Sequence, residues 1–234
     1  MPIRKLQLVN DEIYHIVLRG VGDSLIFKDI NDYYREVFSL YEFNNVNPVH
    51  IWQRRKERKK EKSVQCPTLH ARELMVEILA FCFMPNHIHL LLKQIRDKGI
   101  TEFMRKVGTG YAVYFNKKYD RKGHLFQGFK AIHIKDNAQL QNVFVYIHAN
   151  PISLIEPKWK EIGIKEPDEV IKFLEEDYRW SSYFDYIGKK NFLSVTERKF
   201  LLKIMGGVDG CKENMENWIK HKGEIKAFSD ISLE

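Results

Sequence analysis

The chain has 234 residues, 44% of them hydrophobic, enough for one substantial core with a small appendage. Its longest apolar run, Ile78 to Met84, is strand-sized and excludes a membrane-spanning helix, so no membrane partner is expected. Lysine and arginine total 38 against 31 acidic residues, a net charge of +7 that is compatible with a nucleic acid without selecting one.

The first ten residues are mixed and do not read as a signal peptide. The three cysteines, Cys66, Cys82 and Cys211, lie far apart with no CxxC pair, which excludes a zinc knuckle and a disulfide framework. A reducing, cytoplasmic location fits, with Cys82 as a small core residue.

Ile13 to Arg19 (IYHIVLR) is rich in β-formers and reads as a strand. Ile30 to Tyr41 has helical spacing, with Asp29 as its cap. Asn44 to His70 breaks the pattern with two prolines and the run RRKERKKEK from Arg54 to Lys62. It reads as an inserted, solvated loop that could still meet phosphates. Val76 to Met84 and His87 to Lys93 flank Pro85-Asn86 as a hairpin. Thr101 to Asn116 is helical, with Gly108 and Gly110 implying close packing or a bend. A loop follows from Arg121 to Gly128, then a short strand from Phe129 to Lys135. Asp136 and Gln139 form a capping box for a helix ending at Asn150-Pro151, with Leu140, Val143, Phe144 and Ile147 as its buried stripe. Further helices are expected near Asp168 to Glu175, Thr196 to Met205 and Glu213 to Lys220. The order strand, helix, hairpin, helix, strand, helix predicts an α+β fold, a ferredoxin-like antiparallel sheet carrying helices, with a helical C-terminal extension. The expected division is a catalytic domain over 1–187, including the basic insertion at about 44–70, and the extension over 188–234.

Three groups of residues could carry chemistry. His87 and His89 alternate on one strand, so both imidazoles project from one face while Ile88, Leu90 and Leu92 point to the other. Two imidazoles on a rigid strand can share a divalent metal. An isolated pair of this kind is more often ordinary sheet surface, but this one follows a turn directly within an apolar run. Tyr146 and Asn150 lie four apart on a helix, on a face bordering the buried stripe. Singly, a half-buried structural tyrosine and a helix-ending asparagine are the commoner readings. Arg121, Lys122, His124 and Lys130 are interleaved with Phe126 and Phe129. That mixture suits single-strand binding and, equally, a surface loop with aromatic anchors. Trp180 reads as a packed structural residue.

FMPNHIHLLL (Phe83 to Leu92), NKKYDRKGHLFQGFK (Asn116 to Lys130), YIHANP (Tyr146 to Pro151) and YRWSSY (Tyr178 to Tyr183) together resemble single-tyrosine HUH transposases. The branch they resemble most is the REP-associated tyrosine transposases, over about Ile13 to Tyr186. The resemblance implies a divalent metal, Mg²⁺ or Mn²⁺, on His87, His89 and Asn150. It implies Tyr146 as the nucleophile, ahead of Tyr111, Tyr114 and Tyr119, and DNA contacts from Arg121, Lys122, His124, Phe126 and Lys130. The implied activity is nicking and rejoining of single-stranded or hairpin-forming DNA through a 5′-phosphotyrosine, by a monomer or a homodimer. The basic insertion and the region past Ile187 depart from the family pattern and leave substrate specificity open. Two other readings stay in view: a non-catalytic hairpin-binding protein, and a metal-dependent hydrolase that activates water and leaves no covalent adduct.

Overall fold

The computed structural model describes residues 6–54, 56 and 72–221. Cys66 and all of the Arg54 to Lys62 run except Arg54 and Lys56 lie outside them. Four strands, β1 (Ile13–Arg19), β2 (Val76–Met84), β3 (His87–Gln94) and β4 (Lys130–Ile134), form an antiparallel sheet in the order β2-β3-β1-β4. Helices α1 (Ile30–Phe43) and α2 (Gly99–Lys118) are the two crossovers of this ferredoxin-like arrangement. Helix α3 (Asn137–Ala149) follows β4, and after several short helical turns come α4 (Lys199–Met205) and α5 (Gly207–His221). No described helix is long and apolar enough to cross a membrane.

Side-chain alternation splits the core across the sheet. Tyr14, Ile16, Leu18, Ile88, Leu90 and Leu92 meet α1 and α2 on one face. Ala80, Cys82, Met84 and Leu91 meet α3 and the C-terminal helices on the other. Burying each large apolar side chain contributes roughly 1.5–3 kcal/mol, so both layers anchor the sheet. β2 does not alternate throughout: the register passes from Ile78↔Leu92 to Ala80↔Leu91, with Leu79 as a bulge between them.

The helix starts have local causes. Asp29 caps α1, accepting from the amides of Asn31 and Asp32, and Asp32 completes a capping box. Asp136 accepts from the Gln139 amide at 2.8 Å. Gln139 Oε1 turns back to the Lys135 amide, one residue ahead of the cap, so the expected box is displaced by one residue. Gly110 provides the expected close packing, because a Cβ there would lie 2.3 Å from the Phe43 ring of α1. Asn44, where the basic insertion was expected to begin, is buried and clamps the start of β2 through Met75 and Val76. The helix expected over Asp168 to Glu175 is an α-helix, Pro167–Lys172, running into a π turn, Phe173–Asp177.

Helix α3 departs from the expected half-exposed helix. Val143 to Ala149 are all buried, so Tyr146 does not lie on an open border. The cover comes from far along the chain: Met215, Trp218 and Ile219 of α5 join the same apolar cluster.

Glu36 of α1 is fully buried, and neither carboxyl oxygen meets a hydrogen-bond donor among the described residues. Burial pushes its pKa up from 4.5 to about 8, against the pull of Arg35. The unfolded chain ionises first, so stability is fully present below pH 4.5 and is lost as pH rises through about 8. Glu36→Gln should therefore gain on the order of a few kcal/mol over wild type between pH 5 and pH 8. Denaturant titrations at both values check this; a wild-type stability that stays flat across the window contradicts it.

Candidate active site

β3 sets His87 and His89 on the face that meets α3. Their antiparallel partners are Arg19 and Val17 on β1, and Met84 and Cys82 on β2. His89 is fully buried and His87 nearly so, with ring centroids 4.8 Å apart and planes at 79°. His87 Nδ1 lies 2.6 Å from Asn86 Oδ1; that oxygen can only accept, which assigns the Nδ1 proton and leaves the lone pair on Nε2. Burial, followed by the charges of His87, His15, Lys160 and Arg19, holds the His89 pKa well below its ordinary value. The ring is therefore neutral at pH 7, the form a metal needs.

Tyr146 joins this pair from α3. Its ring stands edge-on to His89 at 5.8 Å and 88°, and to His15 at 5.7 Å and 74°. Lys160 Nζ lies 5.8 Å from the Tyr146 ring centroid. Asn150, one turn on, is buried, and its amide donates to the Tyr146 carbonyl at 2.8 Å. This bond ties the end of the helix to the residue that carries the phenol. Among the described residues no group of three or more His, Cys, Asp or Glu is placed to hold a metal. The donor set on offer is two imidazoles and a carboxamide.

The other candidate tyrosines face away. Tyr111 donates to the Ile26 carbonyl at 2.6 Å, inside the layer of α1 and α2. Tyr114 and Tyr119 donate to the two oxygens of buried Asp32, at 2.9 and 2.7 Å. All three lie across the sheet from the histidines.

The stretch read as DNA-binding divides. Lys122 and His124 are exposed. Lys130 is exposed on β4 and pairs with Val17, which puts it on the histidine face. Phe126 packs 6.0 Å from Tyr111 in the opposite layer. The Arg121 guanidinium closes its own loop on Asn116, Gly123 and His124, with the shortest bond 2.8 Å to the His124 carbonyl. Trp180 is packed as expected, stacked on Tyr33 at 4.6 Å.

Sequence reasoning missed His15 and Lys160. His15 is fully buried, its Nε2 lies 2.9 Å from His89 Nδ1, and burial lowers its pKa to about 3. Alternation along IYHIVLR puts His15, Val17 and Arg19 on one face. Only the pairing of β1 with β3 shows that the face is the one carrying His87 and His89.

Residues 47–150 match the family model described as "Transposase IS200 like". No curated protein matches the chain. Among solved structures, one described as a REP-associated tyrosine transposase bound to a REP hairpin is similar at 14% identity and a TM-score of 0.42, over 85% of this chain and 96% of that one. A bacterial tRNA(His) guanylyltransferase-like protein in complex with GTP is similar at 11% identity and a TM-score of 0.36, over 68% of this chain and 77% of that one. The matched segment begins after α1 and holds β2, β3, α2, β4 and α3. His87, His89, Tyr146 and Asn150 all fall within that segment.

Proposed function

We propose that the protein is a divalent-metal-dependent enzyme that cuts and rejoins single-stranded DNA through a tyrosine, acting on hairpin-forming substrates. The observation that carries this reading is the convergence of Tyr146 with His87 and His89 on one sheet face, while Tyr111, Tyr114 and Tyr119 lie on the other. In the proposed division, residues 1–187 form the catalytic domain and 188–234 an extension whose helices cover α3.

The donor chemistry fits a hard-to-borderline divalent ion such as Mg²⁺ or Mn²⁺. His87 donates its Nδ1–H to Asn86 Oδ1, which directs Nε2 toward a ligand, and burial holds His89 neutral. Asn150 commits its amide nitrogen to the Tyr146 carbonyl, and Oδ1 is the atom it would offer. When bound, the ion would polarise a phosphate oxygen and offset charge that builds on it.

The chain's own residues then do the following. The Tyr146 oxygen attacks phosphorus, the phenolic proton is lost, and the bond to the 3′ oxygen breaks. That oxygen takes up a proton and leaves as a free hydroxyl, while the 5′ phosphate stays on Tyr146. A phenol with a pKa near ~10 needs help to lose its proton, and the Lys160 ammonium, 5.8 Å from the Tyr146 ring centroid, would offset negative charge in the site. The phosphotyrosine conserves the energy of the broken bond, so a new 3′ hydroxyl can reverse the step. Lys130 and Lys122 offer cations for the strand's phosphates, and His124 a hydrogen-bonding imidazole beside them.

Incubation of the chain with an end-labelled single-stranded hairpin DNA and Mn²⁺, followed by a denaturing gel, tests the proposal. Label that migrates with the protein is the expected result. Cleaved DNA with no attached protein would point to a water-activating hydrolase, and hairpin binding without cleavage to a binding module.

A further inference from the structure

His15 and His89 make a side-chain pair that the proposed reaction leaves unexplained. His15 stands on β1 opposite Leu91, fully buried, and meets His89 edge to edge with centroids 5.2 Å apart and planes at 20°. The 2.9 Å line joins His15 Nε2 to His89 Nδ1. Both rings are neutral in this interior, so one of the two nitrogens carries the proton and the other accepts it.

The two arrangements differ in what His89 can do. If His15 Nε2 donates, the His89 proton sits on Nε2 and blocks the only nitrogen left for a cation. If His89 Nδ1 donates, Nε2 carries a lone pair. His87 is already settled in the second way, because Asn86 Oδ1 accepts its Nδ1 proton. We propose that His15 is the matching positioning residue: it accepts the Nδ1 proton of His89 and so presents the His89 Nε2 lone pair to a divalent cation. This rests on the metal reading given under Proposed function.

The surroundings of His15 suit that role. Its own Nδ1 is buried with no hydrogen-bond partner among the described residues, so no third group fixes the direction of the bond and a cation at His89 Nε2 would decide it. The bond and the small angle between the planes also fix the His89 ring, and His15, His89 and Tyr146 meet as a triangle of rings. Groups that hold a ligand's second nitrogen typically matter by about 10–100-fold in metal affinity.

The test is Mn²⁺ titration calorimetry on the full chain without DNA, using wild type, His15→Phe and His15→Gln. Phenylalanine keeps an aromatic ring and removes the acceptor, whereas glutamine restores an acceptor oxygen. Mn²⁺ affinity should fall by roughly 10–100-fold in His15→Phe and recover most of that loss in His15→Gln, whatever the melting temperatures do. A purely structural His15 would change melting temperature and leave affinity alone; equal affinity in wild type and folded His15→Phe overturns the proposal. Nitrogen-15 spectra of Mg²⁺-loaded wild type give a reading that needs no variant. They should show His89 protonated on Nδ1, and protonation on Nε2 overturns the assignment. A wild type that binds neither ion refutes the metal reading itself, a different result from an unchanged His15→Phe.

Discussion

Tyr146→Phe should form no covalent DNA adduct, while the variant should fold and still bind hairpin DNA. Phenylalanine keeps the ring that stands against His89 and His15 and removes only the attacking oxygen. The stability change should stay within about 1 kcal/mol, the scale of one hydroxyl interaction. Loss of a covalent nucleophile lowers turnover on the order of 10⁴-fold or more, so the adduct band should vanish. The controls separate chemistry from packing. Tyr111→Phe loses its bond to Ile26, and Tyr114→Phe and Tyr119→Phe lose theirs to Asp32. Each should cost about 1 kcal/mol of stability and keep adduct formation. Mass spectrometry of a trapped, nuclease-trimmed complex identifies the modified peptide. A nucleotide on the peptide that holds Tyr111 or Tyr114, with Tyr146→Phe still active, would overturn the assignment.

His87→Ala and His89→Ala should each abolish cleavage and leave hairpin binding within a few-fold of wild type. Each removes one of two imidazoles that share a strand face, and a divalent ion held by the remaining donors would be bound far more weakly. Cleavage should fall by at least about 10²-fold for either variant. The two should differ in stability. His87 retains slight exposure beside the turn, whereas His89 is fully buried and bonded to His15, so its removal leaves a cavity and strands a buried nitrogen. Fluorescence anisotropy on labelled hairpin DNA reads binding, and the denaturing gel reads cleavage. Wild-type cleavage by either variant with Mn²⁺ present would place the metal elsewhere.

The fold was largely legible because its strongest signals are local. β1 begins and ends at the expected residues, Ile13 and Arg19, and the turn at Pro85-Asn86 places both hairpin strands. Alternation put Ile88, Leu90 and Leu92 across the sheet from His87 and His89, as found. What stayed hidden depends on partners distant in sequence. Tyr146 reads as a border residue from α3 alone, and only the packing of α3 on the sheet shows that it is buried against His15 and His89. His15 reads as an ordinary strand residue until β1 is set beside β3. Phe126 and Arg121 look like a DNA-facing pair in a basic stretch, yet one packs in the layer of α1 and α2 and the other braces its loop.

The bulge at Leu79 gives the hairpin an uneven tolerance of length. Without Leu79, Ala80 would follow Ile78 in plain alternation, and every later partnership on β3 would stand, including Cys82 beside His89 and Met84 beside His87. A deletion there removes one apolar side chain and keeps the frame in which the histidines are presented. The turn has no such slack. The Pro85 carbonyl holds the amides of Ile26 and Phe27, and the Asn86 carbonyl holds that of Gly20. A residue gained between Asn86 and His87 would push β3 along by one, carrying Ile88 and Leu90 onto the face that meets α3 and both imidazoles into the opposite layer. Site and core are written in the same two-residue rhythm, so a single misplaced insertion would erase both.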